Sequence, residues 1–165
     1  MSPLNDPAIT DTAFTIDTSS IKYGPGVTGE VGYEMARLGA RKVLIVTDGN
    51  IVKTNAVQLA QDSLASENIQ VITYDQVRVE PTDESFKDAI SFATEGDFDG
   101  YVAIGGGSTI DTAKAANLYA TYPADFLTYV NAPIGQGLPV PGPLKPLIAI
   151  PTTGGTGSET TGVAI

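Results

Sequence analysis

The 165-residue chain contains no cysteine and no histidine. Without thiols there are no disulfides and no thiolate metal sites. Without imidazole there is no Ser-His or Cys-His nucleophile pair and no His ligand for a transition metal. Basic residues are scarce: nine Lys and Arg stand against 19 Asp and Glu, a formal charge of −10. That balance disfavours a nucleic-acid partner, because a phosphate backbone needs a basic surface. An anionic cofactor would have to be held by local backbone dipoles, against the overall field. No apolar run approaches the roughly 20 residues that cross a bilayer, so no membrane partner is expected. Met1-Ser-Pro-Leu-Asn-Asp-Pro7 has neither the basic nor the apolar region of a signal peptide, and Arg is too sparse for a transit peptide. Together these absences predict a cytoplasmic protein.

What is present is globular: 42% of residues are hydrophobic and 17% charged, enough for one domain with a proper core. Residues 14–16 and 20–23 read as two short strands of an N-terminal β-hairpin that stops at Gly24-Pro25-Gly26. A helix is expected over 27–38, with Gly39 at its C-cap. Lys42 to Thr47 is a continuous apolar run, as a strand buried on both faces requires, and Asp48 closes it. A helix over 52–66, a strand over 69–74 and a loop over 75–81 follow. Thr82 then N-caps a third helix. The strand over 101–104 leads into Gly105-Gly106-Gly107-Ser108 and a helix to residue 121. A helical turn or two is expected at 125–130, a Gly/Pro-rich loop at 132–146, and a strand at 147–150. The alternation predicts an α/β fold: a doubly wound, mostly parallel sheet forming a Rossmann-like dinucleotide-binding domain over 1–165. The apolar run Thr160 to Ile165 has no terminator, which reads as a piece of a longer protein.

Three loops carry chemistry. Three glycines before a helix let the backbone approach an anion, and the first helical N–H groups point at it. Ser108 is placed as the helix N-cap, with Asp111 three residues on, in position to reach back to the Ser108 N–H. The turn lacks the third glycine of the dinucleotide fingerprint and is no P-loop. The same glycines would also serve a simple tight turn. Asp48, at a strand's carboxyl end, could accept hydrogen bonds from both adenosine ribose hydroxyls and repel a 2′-phosphate, favouring NAD over NADP; it could equally cap the following helix. Pro151 to Glu159 offers Thr152, Thr153, Thr156 and Ser158 among three glycines, suited to a ribose, an amide or a phosphate oxygen, or to a plain surface loop. Glu80 and Pro81 end the loop after the 69–74 strand.

Gly-Gly-Gly-Ser-x-x-Asp-x-x-Lys at 105–114, followed by Ile-Pro-Thr-Thr-x-Gly-Thr-Gly-Ser-Glu at 150–159, resembles the iron-containing (group III) alcohol dehydrogenases. The runs 74–82, 114–120, 143–148 and 157–165 look most like the hydroxyacid-oxoacid transhydrogenase branch. The resemblance implies a nucleotide-binding domain followed by a helical domain holding Fe²⁺ or Zn²⁺ through Asp and His, the second lying outside these residues. It implies that Asp48 holds the ribose, that Gly105, Gly106, Gly107 and Ser108, with Asp111, form the pyrophosphate turn, and that Thr152, Thr153 and Thr156 hold the rest of the NAD. Glu80 and Pro81 would border the adenine. No metal ligand and no catalytic residue carries over. The implied reaction is hydride transfer between the cofactor and an alcohol, or between a hydroxyacid and an oxoacid, in a longer parent enzyme that is expected to form a homo-oligomer. A dehydroquinate-synthase-like cyclase and a non-catalytic nucleotide-binding module are the alternatives.

Overall fold

The computed structural model describes residues 19–162 and 164. Four strands, β1 (Lys42–Asp48), β2 (Gln70–Val77), β3 (Gly100–Gly105) and β4 (Leu147–Pro151), form one sheet in the order β2-β1-β3-β4, and every pairing is parallel. Parallel neighbours need crossovers. Helices α2 (Asn55–Ser66), α3 (Asp83–Gly96) and α4 (Gly107–Thr121) provide them, and α1 (Val31–Arg37) precedes β1. The chain winds outward from β1 to β2, then returns across β1 to lay down β3 and β4. The reversal falls between β1 and β3, the kind of position where open α/β sheets bind ligands at their carboxyl edge.

Both faces of the sheet are covered, which is why β1 and β3 read as unbroken apolar runs. Successive side chains point to opposite faces. Val43, Ile45, Val102 and Ile104 pack with Met35, Val57, Ala60 and Leu64 of α1 and α2. Leu44, Val46, Tyr101 and Ala103 pack with Ala89, Ala93, Ile110, Ala113 and Ala116 of α3 and α4. The second layer is thin-walled, because alanines let the helices approach the sheet closely.

Several local expectations need correction. The first strand of the expected hairpin lies outside the described residues, and residues 20–23 form no strand. Lys22 instead bonds Glu30 and Glu34 at 2.6 Å each. The 27–38 helix is broken into a 3₁₀ turn, Val27–Glu30, and α1. Ser63 explains the break: its hydroxyl donates to the Gly29 carbonyl at 2.6 Å and accepts from the Gly32 amide at 2.9 Å. Gly39 does adopt the left-handed conformation of a C-cap glycine, with φ 86°. β2 runs three residues past Tyr74, its pairing with β1 shifting register between Val46 and Asp48. No helix forms at 125–130. There the chain is tied down by tyrosines: the Tyr119 hydroxyl donates to the Phe126 carbonyl at 2.5 Å and the Tyr129 hydroxyl to the Tyr122 carbonyl at 3.2 Å.

Candidate cofactor-binding site at the carboxyl edge of the sheet

The loops singled out by sequence all leave the carboxyl ends of the strands. β3 ends at Gly105, whose carbonyl accepts from the Thr152 amide at 2.9 Å, directly after β4. A Cβ added to Gly106 would lie 3.1 Å from Thr153 Oγ1. One added to Gly107 would lie 3.0 Å from Thr156 Cγ2 and 3.1 Å from Ser158 Oγ. The glycine turn and the threonine loop therefore pack against each other, with the glycines supplying the clearance. Gly105 is different: its missing Cβ would strike Thr109 Oγ1 at 2.3 Å, a constraint internal to the turn.

The helix after the turn begins two residues earlier than expected. Gly106, extended at φ −80° and ψ −173°, is the N-cap, and its carbonyl accepts from Thr109 and Ile110. No side chain caps this end. By contrast, α3 has a complete capping box between Thr82 and Ser85, with bonds of 2.9 and 3.2 Å. Ser108 is thus inside α4, and its hydroxyl donates to the Val79 carbonyl at 2.6 Å. That bond draws the loop carrying Glu80 and Pro81 to the start of α4. Tyr74, whose hydroxyl donates to Asp88 at 2.7 Å, ties β2 to α3 on either side of that loop. Burial first, then the Asp88 carboxylate, pushes that phenol well above its ordinary range.

Asp111 does not reach back along the helix. It is buried, 7% exposed, and its Oδ2 accepts from Ser158 Oγ at 3.3 Å. Its Oδ1 lies 3.6 Å from Lys114 Nζ, which donates to Thr161 Oγ1 at 3.2 Å. One turn of α4 thereby clamps the 156–161 segment. The reason is geometric: with the helix starting at Gly107, Asp111 sits a full turn in and faces the neighbouring loop. Asp48 uses Oδ1 to accept from the Asn50 and Ile51 amides at 2.8 and 3.0 Å. Those bonds make a turn ahead of the short 3₁₀ helix Ile51–Lys53, while α2 starts at Asn55 behind Thr54, so Asp48 does not cap α2; a ligand role would add to the turn.

Val79 was not singled out by sequence: its contact is made through a backbone carbonyl, which no residue type signals. Ser158, one of the hydroxyls noted in its loop, bonds Asp111. Of the expected residues, Gly105, Gly106, Gly107, Ser108 and Asp111 are in one assembly with Thr152, Thr153 and Thr156. Glu80 and Pro81 adjoin it through Val79, and Asp48 ends the adjacent strand. An open cavity of about 560 Å³ between Asp83, Lys87 and the apolar side chains Phe126 to Ile134 includes none of them. Bare amides with clearance around them fit a nucleotide phosphate. Among the described residues no three His, Cys, Asp or Glu side chains gather to hold a metal ion, so the fit to Fe²⁺ or Zn²⁺ is not met by these residues.

The family model "Iron-containing alcohol dehydrogenase" matches residues 18–165. The mitochondrial hydroxyacid-oxoacid transhydrogenases of Rattus norvegicus and Homo sapiens are each 61% identical over 157 residues, covering 94% of this chain and 34% of their own length. The chain thus spans about a third of these relatives. A 1,3-propanediol oxidoreductase crystal structure superposes with a TM-score of 0.80 at 31% identity, covering 91% of this chain and 38% of that one. Sulfoacetaldehyde reductase from Bifidobacterium kashiwanohense, solved in complex with NAD⁺, superposes at 0.77 with 25% identity, over 93% and 40%. The cyclase alternative draws no support from these matches. The cytoplasmic expectation is overturned: the similar transhydrogenases are mitochondrial proteins. Import is directed by short leader segments, so the composition of a folded domain does not record its compartment. On the family match, the sequence identity and the shared fold, the chain belongs to the iron-containing alcohol dehydrogenase family.

Proposed function

We propose that these 165 residues form the NAD-binding domain of a longer, metal-dependent hydride-transfer enzyme. The observation that carries this is the packing of Gly106 and Gly107 against Thr153 and Thr156 at the carboxyl ends of β3 and β4, beside the point between β1 and β3 where the strand order reverses. The amides at the start of α4 would receive the pyrophosphate, aided by the positive end of the helix dipole. Thr152, Thr153 and Thr156 would hold the nicotinamide half. Asp48, already braced through Oδ1, would accept from the adenosine ribose hydroxyls and oppose a 2′-phosphate. When bound, the nicotinamide supplies the hydride acceptor or donor.

The names of the relatives support a substrate class: an alcohol, or a hydroxyacid and oxoacid pair interconverted by a cofactor that alternates between its oxidised and reduced forms. The metal is Fe²⁺ or Zn²⁺, held by residues outside this chain. The parent assembles as a homo-oligomer, which light scattering tests. Alone, the 165-residue chain has no turnover and binds NAD weakly, because one wall of the cleft is not among its residues. Titration followed by amide NMR tests the reading. NAD should move the Gly106, Gly107, Thr153 and Thr156 resonances together, and NADP should bind less well. Shifts confined to other parts of the sheet, or alcohol oxidation by the chain alone with Fe²⁺ or Zn²⁺, would overturn it.

A further inference from the structure

The hydroxyl of Ser108 stands immediately after the glycine turn, where a phosphate would be expected to meet it. A hydroxyl carries one proton. Here that proton is given to the Val79 carbonyl at 2.6 Å. What remains on Oγ is acceptor capacity, and a phosphate oxygen is itself an acceptor. The hydrogen bond spans 29 residues of sequence and joins the start of α4 to the loop between β2 and α3. Val79, two residues past the end of β2, leaves its apolar side chain 78% exposed.

The strand order says what that side chain is for. Along the carboxyl edge the sequence is β2, β1, β3. If the pyrophosphate lies at the end of β3 and the ribose at Asp48 on β1, the base continues towards the end of β2. Neighbouring strands are about 4.8 Å apart, so the two outer strand ends are separated by roughly 10 Å, within the span of an extended ADP. We propose that Ser108 is a positioning residue: its hydroxyl anchors the Val79 carbonyl so that the Val79 side chain meets the face of the adenine, and it is not a phosphate ligand. Phosphate recognition at position 108 then belongs to the backbone N–H. The inference rests on the nucleotide-binding reading above and specifies how its adenine end is built.

Three probes separate the roles: inorganic pyrophosphate, ADP and NAD, titrated by NMR into the wild type, Ser108→Ala, Ser108→Thr and Val79→Ser. Ser108→Ala should weaken ADP and NAD about fivefold, the worth of one ordinary hydrogen bond, and leave pyrophosphate unchanged. Ser108→Thr, which keeps the hydroxyl, should restore the affinity. Val79→Ser, at an exposed position with the carbonyl bond intact, should weaken ADP and leave pyrophosphate alone. Without any ligand, amide exchange at residues 78–80 should quicken in Ser108→Ala and stay unchanged at Gly106 and Gly107. Equal losses for pyrophosphate and ADP in Ser108→Ala would make the hydroxyl a phosphate ligand and overturn the proposal. Unchanged exchange at 78–80 would overturn the anchoring role whatever the ligands do. A wild type that binds pyrophosphate but neither ADP nor NAD would overturn the nucleotide reading itself, a result distinct from both.

Discussion

The Asp111 carboxylate on α4 accepts from the Ser158 hydroxyl at 3.3 Å, with Lys114 Nζ 3.6 Å from its other oxygen. This contact crosses 47 residues and fastens the end of the threonine loop to the helix that follows the glycine turn. Asp111→Ala should leave Ser158 and Lys114 without their carboxylate inside a largely buried cluster. A loss of about 1–3 kcal/mol is expected, seen as a lower urea midpoint at unchanged slope. Ser158→Ala, which removes one neutral partner, should cost less.

Two of the three turn glycines should separate by phenotype. Gly107→Ala places a Cβ 3.0 Å from Thr156 Cγ2 and 3.1 Å from Ser158 Oγ, side-chain atoms that need give only by a few tenths of an ångström. The expected result is near-normal stability with nucleotide binding reduced about tenfold or more, because the approach to the amides is obstructed. Gly105→Ala puts its Cβ 2.3 Å from Thr109 Oγ1 at a buried position, so it should lower stability first. Thermal unfolding paired with NMR titration distinguishes the two.

Gly32→Ala tests the helix pair. The new Cβ would lie 1.9 Å from the Ser63 carbonyl oxygen, which is backbone and cannot swing aside. α1 and α2 must then separate, at a cost of about 1–3 kcal/mol or more. Ser63→Ala removes bonds to Gly29 and Gly32 without a clash and should cost about 1 kcal/mol. Denaturant titration of both variants reads the difference.

Alkaline stability should track Tyr101. Desolvation, then the nearby Asp97 charge, pushes this buried phenol up to about 12 from its ordinary 10.0. The folded state therefore favours the neutral form. Its contribution is fully present below pH 10 and is lost as pH rises towards 12, amounting to about 2–3 kcal/mol. Unfolding monitored by circular dichroism should coincide with phenolate absorbance in that window. Tyr101→Phe should move the midpoint to higher pH, whereas a titration of Tyr101 without loss of structure would contradict its burial.

Asp48 should separate its two duties. Asp48→Asn keeps an oxygen for the Asn50 and Ile51 amides, so stability should change by no more than about 0.5 kcal/mol. It removes the charge opposing a 2′-phosphate, so the preference for NAD over NADP should narrow. Asp48→Ala should lose both, and competition titrations with the two dinucleotides check each arm.

Much of the site was legible because its signals are local. β1 and β3 are unbroken apolar runs, and a parallel strand covered on both faces admits little else. Thr82 and Ser85 lie at capping-box spacing, and they make both bonds. Ser108 and Asp111 have similar spacing, yet neither caps α4. An extended Gly106 starts that helix two residues early, and the hydroxyl and the carboxylate find partners on other loops. The division of residues 27–38 was likewise hidden, since its cause is a serine on another helix.

The amino-acid sequence by itself determined where the four sheet strands start, where the glycine turn falls, and that no imidazole or thiol chemistry is available within these residues. Those properties depend on side-chain type and on spacing within a few residues. Tertiary structure alone decided that the sheet reverses between β1 and β3, that Thr153 and Thr156 close over Gly106 and Gly107, and that Ser108 reaches Val79. These relationships join segments tens of residues apart. They are set by which faces can be buried together and which buried polar groups must find a partner, and no single segment contains that information.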